Sequence, residues 1–204
     1  MRIARFYGLF NHYGPDGALL GSNDAVGFGE VAVQATNSGT FLVVVGNNAY
    51  YSGLGGGTYL LTLAQTGNPI VVAPGYQGGP LTNGFTYQGN MPAGLLSVWD
   101  LTASAGEAIV VRAGQLTGTN DFVPWVRLYG PDGALLGSND AVGFGEVAVQ
   151  ATNSGTFLVV VGNNAYYSGF GGGTYLLTLA QTGNPIVVAL NLMFRKPQAK
   201  REEK

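Results

Sequence analysis

Residues Tyr13 to Ala73 recur, with one change, at Tyr129 to Ala189. The copies lie 116 positions apart and agree at 60 of 61 sites, Phe170 standing where the first copy has Leu54. A unit this long excludes a solenoid of short stacked repeats and implies tandem pieces on the scale of domains. The flanks do not match. Asn120 to Leu128 precedes the second copy and Arg5 to His12 the first; Pro74 to Pro80 follows the first copy and Leu190 to Phe194 the second. The order is therefore repeat, spacer, repeat, whereas an alternating array would continue spacer, repeat, spacer, repeat. That order implies a piece of a longer array, a recent duplication or an engineered chain. It divides the 204 residues into a partial module over 1–73, a linker over 74–79, a full module over 80–189 and a basic tail over 190–204.

Inside one copy the pattern is strand and turn. Val126 to Tyr129 is a short β-rich run, and Gly130-Pro131-Asp132-Gly133 turns it into a return strand, Ala134 to Ser138. Pro presets φ there, Asp bonds back to the backbone and Gly accepts positive φ. Glu146 to Ala151 alternates, placing Val147, Val149 and Ala151 on one face. Thr156 to Val161 is continuously apolar, as a strand covered on both faces requires. Thr174 to Leu179 sets Tyr175, Leu177 and Leu179 together. The spacer adds Leu95 to Ala103, with Trp99, Leu101 and Ala103 on one face, and Ala108 to Arg112. Asn83-Gly84 has the composition of a hairpin turn leading into Phe85-Thr86-Tyr87. No long segment has helical period, so we expect an antiparallel all-β sandwich or barrel.

Composition narrows the function. The chain has 34 Gly, no Cys and only 10% charged residues against 46% hydrophobic ones. That excludes a collagen, a disulfide framework, a Cys-ligated zinc site and a disordered polymer. Between Tyr13 and Phe194 the only cations are Arg112 and Arg127, against nine acidic residues. A body this poor in clustered cations is no nucleic-acid surface. The tail from Arg195 to Lys204 is basic and reads as a solvated end. The longest apolar run falls far short of the ~20 residues of a membrane span. Arg2 and Arg5 precede a short apolar patch that Asn11 and His12 interrupt, which is not a complete signal peptide.

Three stretches resemble the bacterial pre-peptidase C-terminal domain. They are Trp99 to Glu107, Val126 to Leu136 with Ser138-Asn139-Asp140, and Ala151 to Val161 followed by Gly173 to Leu179. The resemblance implies a jelly-roll-like β-sandwich of the kind appended to secreted peptidases and repeated in large surface proteins. One full module covers Pro80 to Thr182, while Tyr13 to Thr66 matches only the second and third stretches. The repeated half is thus expected to form a second, partial sandwich. Many members carry acidic residues where Ser97-Val98 stands, and some collagenase-attached members bind calcium through an acidic stretch that Tyr76 to Asn90 lacks. The family has no catalytic residues to transfer, and its setting implies an extracellular or cell-surface location.

The residues with chemistry are few. His12 is the only His, and no G-x-S-x-G surrounds a serine, so a Ser-His-Asp hydrolase is disfavoured and no catalytic residue is assigned. Asp132, Asn139 and Asp140 offer oxygen ligands to calcium or serve simply as turn residues, the reading their spacing favours; no other cofactor is expected. The loop Gly169 to Gly173 precedes a strand rather than a helix, so it is no phosphate cradle. Tyr50, Tyr51, Tyr166 and Tyr167 offer an aromatic platform for a glycan or a protein, or pack locally.

The sharpest expectation comes from the order of the pieces. One spacer completes only one copy, and the adjacent second copy is its natural partner. Tyr13 to Ala73 is left with an apolar face and open edges, which invite association with another chain; the alternative is that this half packs on the module within one chain. The expected role is a non-catalytic module acting in adhesion, spacing or self-assembly; the alternative is a carbohydrate- or protein-binding accessory domain of a secreted enzyme.

Overall fold

The computed structural model of the chain describes residues 7–26, 29–48, 58–59, 61, 63, 65, 78–117, 122–140, 143–164 and 171–183. Every regular element among them is a β-strand. The first part contributes β1 (Tyr7–Tyr13), β2 (Leu19–Val26) and β3 (Leu42–Asn47). The spacer contributes β4 (Gly78–Pro80), β5 (Thr86–Met91), β6 (Ser97–Ala103) and β7 (Ala108–Thr117). β8 (Pro124–Tyr129) leads into the second copy, which supplies β9 (Leu135–Asn139), β10 (Phe144–Gln150), β11 (Gly155–Asn163) and β12 (Gly173–Gln181).

The strands from β4 onward build an antiparallel sandwich in which a five-stranded sheet, β4-β6-β11-β8-β9, faces a four-stranded sheet, β10-β7-β12-β5. Only the short β4 runs parallel to its neighbour β6. Nearly every connection crosses from one sheet to the other, the jelly-roll-like order that the resemblance implies. Alternation along each strand fills the space between the sheets. Leu101, Val126, Leu128, Phe157 and Val159 from one sheet meet Ile109, Val111, Tyr175, Leu177 and Leu179 from the other, all essentially without solvent contact. β11 is buried on both faces as its apolar run predicts, with Leu158 and Val160 packing outward beside Val98 and Trp125.

Two local readings change. Asn83-Gly84 does form a turn, with Gly84 at φ 81° and the Phe85 N–H donating to the Thr82 carbonyl at 3.1 Å. It joins β4 in one sheet to β5 in the other, so it closes no hairpin. The strand after Glu107 runs on to Thr117, because β12 pairs along it as far as Thr174↔Thr117.

The three-stranded sheet of the first part, in order β2-β1-β3, reproduces β9-β8-β11. Shifting each number by 116 maps one register onto the other, including the irregularity that pairs Tyr13 with Leu19 as Tyr129 pairs with Leu135. The Gly-Pro-Asp-Gly turn is also the same. Gly17 and Gly133 take φ of 79° and 82°, and Asp16 and Asp132 accept from the N–H groups of Ala18 and Ala134 at 3.0 and 3.1 Å. The equivalence extends back into residues whose letters differ: Phe10↔Asn23 in β1 corresponds to Val126↔Asn139 in β8.

Candidate functional site

The two copies part company beyond this shared half-sheet. In the second copy, residues 144–150 and 173–181 are strands β10 and β12. In the first, the equivalent described residues, 29–34 and 58–59, 61, 63 and 65, carry no strand. The letters are the same, so topology must decide. In the five-stranded sheet the repeat's strands β11 and β9 flank β8, which leads into the copy, and in the first part β1 takes the place of β8. In the four-stranded sheet the repeat's strands alternate with spacer strands: β10 bonds only to β7, and β12 only to β7 and β5. Among the described residues no counterpart of β5 or β7 stands beside these two segments, and an unpaired strand leaves its backbone groups to water.

Burial follows pairing. Tyr175 is fully buried and Leu179 is 1% exposed, whereas their counterparts Tyr59 and Leu63 are 58% and 73% exposed. Leu177 is buried and Leu61 exposed. On β3 the edge opposite β1 is open among the described residues, where β11 carries β6. Leu42 there is 59% exposed against 2% for Leu158, and Val43 and Val44 are exposed too. Tyr59, Leu61, Leu63, Leu42, Val43 and Val44 are therefore large apolar side chains of core pattern that remain in solvent. Three of them lie on β3 and three on the segment after it, where scattered single apolar side chains are the ordinary surface pattern.

Part of the half-core is nonetheless in place. Residues 29–34 lie across the sheet much as β10 does. A Cβ on Gly21 would come within 2.8 Å of Val31 Cγ1, and one on Gly137 within 2.7 Å of Val147 Cγ1. Phe10 packs against Gly29. His12 occupies the place of the buried Leu128 and meets Phe41 edge-on, ring centroids 5.8 Å apart. Glu30 is ion-paired with Arg127 of β8, and Gln34 Nε2 donates to the Asp132 carbonyl at 3.3 Å.

The spacer locks the completed module with buried polar contacts. Trp99 Nε1 donates to Tyr175 Oη at 3.0 Å. Burial lifts the Tyr175 hydroxyl above the usual tyrosine range, and hydrogen bonds to Ser97 and Trp99 oppose that shift. Burial also raises the Asp100 carboxyl above its ordinary value, against a backbone hydrogen bond that lowers it. Asn83 clasps Gln181 twice, donating from Nδ2 to its carbonyl at 3.0 Å and accepting its N–H at 2.8 Å.

The oxygen ligands considered for calcium are separated. Asp132 sits in the β8–β9 turn, whereas Asn139 and Asp140 stand at the far end of β9, whose five residues span about 17 Å. Asp140 accepts from Asn164 Nδ2 at 3.0 Å, and the first copy repeats the bond between Asn48 and Asp24 at 3.3 Å. Among the described residues no three His, Asp or Glu side chains are placed to share a metal. Tyr50, Tyr51, Tyr166 and Tyr167 lie outside the described residues. The exposed side chains on β3 and at Tyr59, Leu61 and Leu63 cannot be told from their letters, because the same letters are core in the second copy. The signal that finds them is the missing spacer.

No known family pattern and no curated protein matches the sequence. Among solved structures the chain is similar to the pre-peptidase C-terminal domain of collagenase from Bacillus anthracis, at 17% identity and a TM-score of 0.42, over 53% of this chain and 99% of that one. It is also similar to a periplasmic inhibitor of g-type lysozyme from Aeromonas hydrophila, at 18% identity and a TM-score of 0.43, over 52% and 96%. A surface-associated copper-binding protein of Methylomicrobium album matches at 10% identity and a TM-score of 0.36, over 52% and 98%.

Proposed function

We propose that the chain is a non-catalytic β-sandwich protein that works by assembly: a completed module over 80–189 carries an incomplete one over 1–73, and the incomplete half makes contacts between molecules. One observation carries this reading. A single sequence forms a closed core where β5 and β7 pair with it and leaves Tyr59, Leu61, Leu63 and the open edge of β3 in solvent where they do not. Bare apolar sheet of this kind lowers its free energy by covering itself, and two copies can do so about a two-fold axis. The low charge leaves little repulsion to oppose this. Adhesion or spacing at a cell surface is the setting we assign, on the resemblance of the Pro80 to Thr182 motifs.

Light scattering after size exclusion over a concentration series tests the reading. The expected result is a species of at least twice the chain mass that shifts toward monomer in Leu63→Lys. A full chain that stays monomeric at every concentration contradicts it.

A further inference from the structure

We infer that the open half-module is a receptor for a polypeptide segment of the Gly78–Thr117 pattern supplied by another molecule. This rests on the reading of the first part as an assembly surface and names what seats there. The chain itself holds the template, since the second copy is the same receptor with its segment in place. β11 pairs with β8 on one side and β6 on the other, and among the described residues β3 has the counterpart of the first partner only.

Identity of the copies fixes the docked register. In the module Leu101, Trp99 and Ser97 stand opposite Phe157, Val159 and Val161. An incoming copy of that strand therefore lies opposite Phe41, Val43 and Val45. In the module Val111 pairs with Val147 on one side and Leu179 on the other. An incoming β7-type strand accordingly slots between Val31 and Leu63 and supplies the strand that both flanking segments lack. Its Trp99 indole reaches Tyr59, as it reaches Tyr175 in the module. Its Arg112 meets Glu30, as Arg112 Nε donates to Glu146 at 2.7 Å, and displaces the ion pair of Glu30 with Arg127. This is recognition by strand addition, with backbone bonding for affinity and alternate side chains for register.

Stoichiometry argues for an outside donor. These 204 residues hold two receptor halves and one spacer. Exchange of spacers among copies of these 204 residues leaves one half open per copy, so the segment that fills it comes from outside them. Two open halves in contact can cover their faces, but they cannot build the four-stranded sheet, because the counterparts of β10 and β12 are not neighbours in it.

The test titrates the full chain with a synthetic polypeptide of its residues 78–117. Expected are saturation at one polypeptide per chain, dissociation of chain assemblies, and new amide protection in the peptide carrying Tyr59, Leu61 and Leu63. That peptide is told from its twin by mass, because it holds Leu54 in place of Phe170. Val43→Asp in the full chain should abolish the binding without altering unfolding of the module. The inference is overturned if no binding occurs, if protection changes only in the Phe170 peptide, or if Val43→Asp binds as well as the parent. A chain that never self-associates yet binds the polypeptide refutes the assembly reading and supports the receptor. A chain that self-associates yet ignores the polypeptide does the reverse.

Discussion

The Trp99 indole and the Tyr175 hydroxyl meet at 3.0 Å, tying β6 in one sheet to β12 in the other through the middle of the core. Each residue comes from a different piece of the chain, Trp99 from the spacer and Tyr175 from the repeat. The bond therefore exists only where a repeat has captured a spacer. Tyr59, the same letter in the first copy, is 58% exposed.

Tyr175→Phe leaves the buried Trp99 N–H without its acceptor, and the expected cost is about 1–3 kcal/mol of module stability. Tyr59→Phe should change the same quantity by less than about 0.5 kcal/mol. Denaturant unfolding followed by tryptophan emission makes the comparison, since both tryptophans, Trp99 and Trp125, lie in the module. Equal losses at the two sites would show that the copies are equally folded.

The raised Tyr175 hydroxyl sets a pH dependence. The folded value lies above the usual 10.0 because burial disfavours the phenolate. The folded state thus holds its proton after the unfolded state has released it. Stability is full below about pH 10 and falls as pH rises through the folded value. Unfolding at about pH 9 and about pH 11 should show a smaller loss in Tyr175→Phe than in the parent protein. An identical loss in both would place the alkaline sensitivity elsewhere.

Truncation of a core leucine gives a second paired comparison. Leu179→Ala removes a side chain that is 1% exposed, and about 2–5 kcal/mol of module stability should go with it. Leu63→Ala acts on a solvent-exposed side chain and should leave the module transition within about 0.5 kcal/mol of the parent. Thermal melts of the two variants decide it, and a large shift from Leu63→Ala would mean that the first copy already has a closed core.

The strands were legible because their periods are local. Val147 and Tyr175-Leu177-Leu179 turn inward as alternation predicts, and the continuous run at Phe157 to Val161 is covered on both sides. The turn at Pro131-Asp132-Gly133 was legible for the same reason. Pairing between distant segments was not. Nothing in Asn83-Gly84 tells whether the next strand returns beside the last or crosses to the facing sheet. Tyr7 to His12 shares no pattern with Pro124 to Leu128, yet it takes the same place, because the edges of β2 and β3 are available to any extended segment. Above all, residues 58–59, 61, 63 and 65 have the same letters as 174–175, 177, 179 and 181 and different fates. The difference lies in which partner strands are within reach, and local propensity carries no record of that.

That dependence on partner strands is the central claim, and hydrogen exchange tests it most directly. The peptides carrying Tyr59-Leu61-Leu63 and Tyr175-Leu177-Leu179 are separable by mass through Leu54 and Phe170. At a concentration where the chain is monomeric by light scattering, the Phe170 peptide should exchange only with global unfolding of the module, while the Leu54 peptide exchanges near the unfolded rate. Equal protection of the two peptides in the monomer would contradict the account.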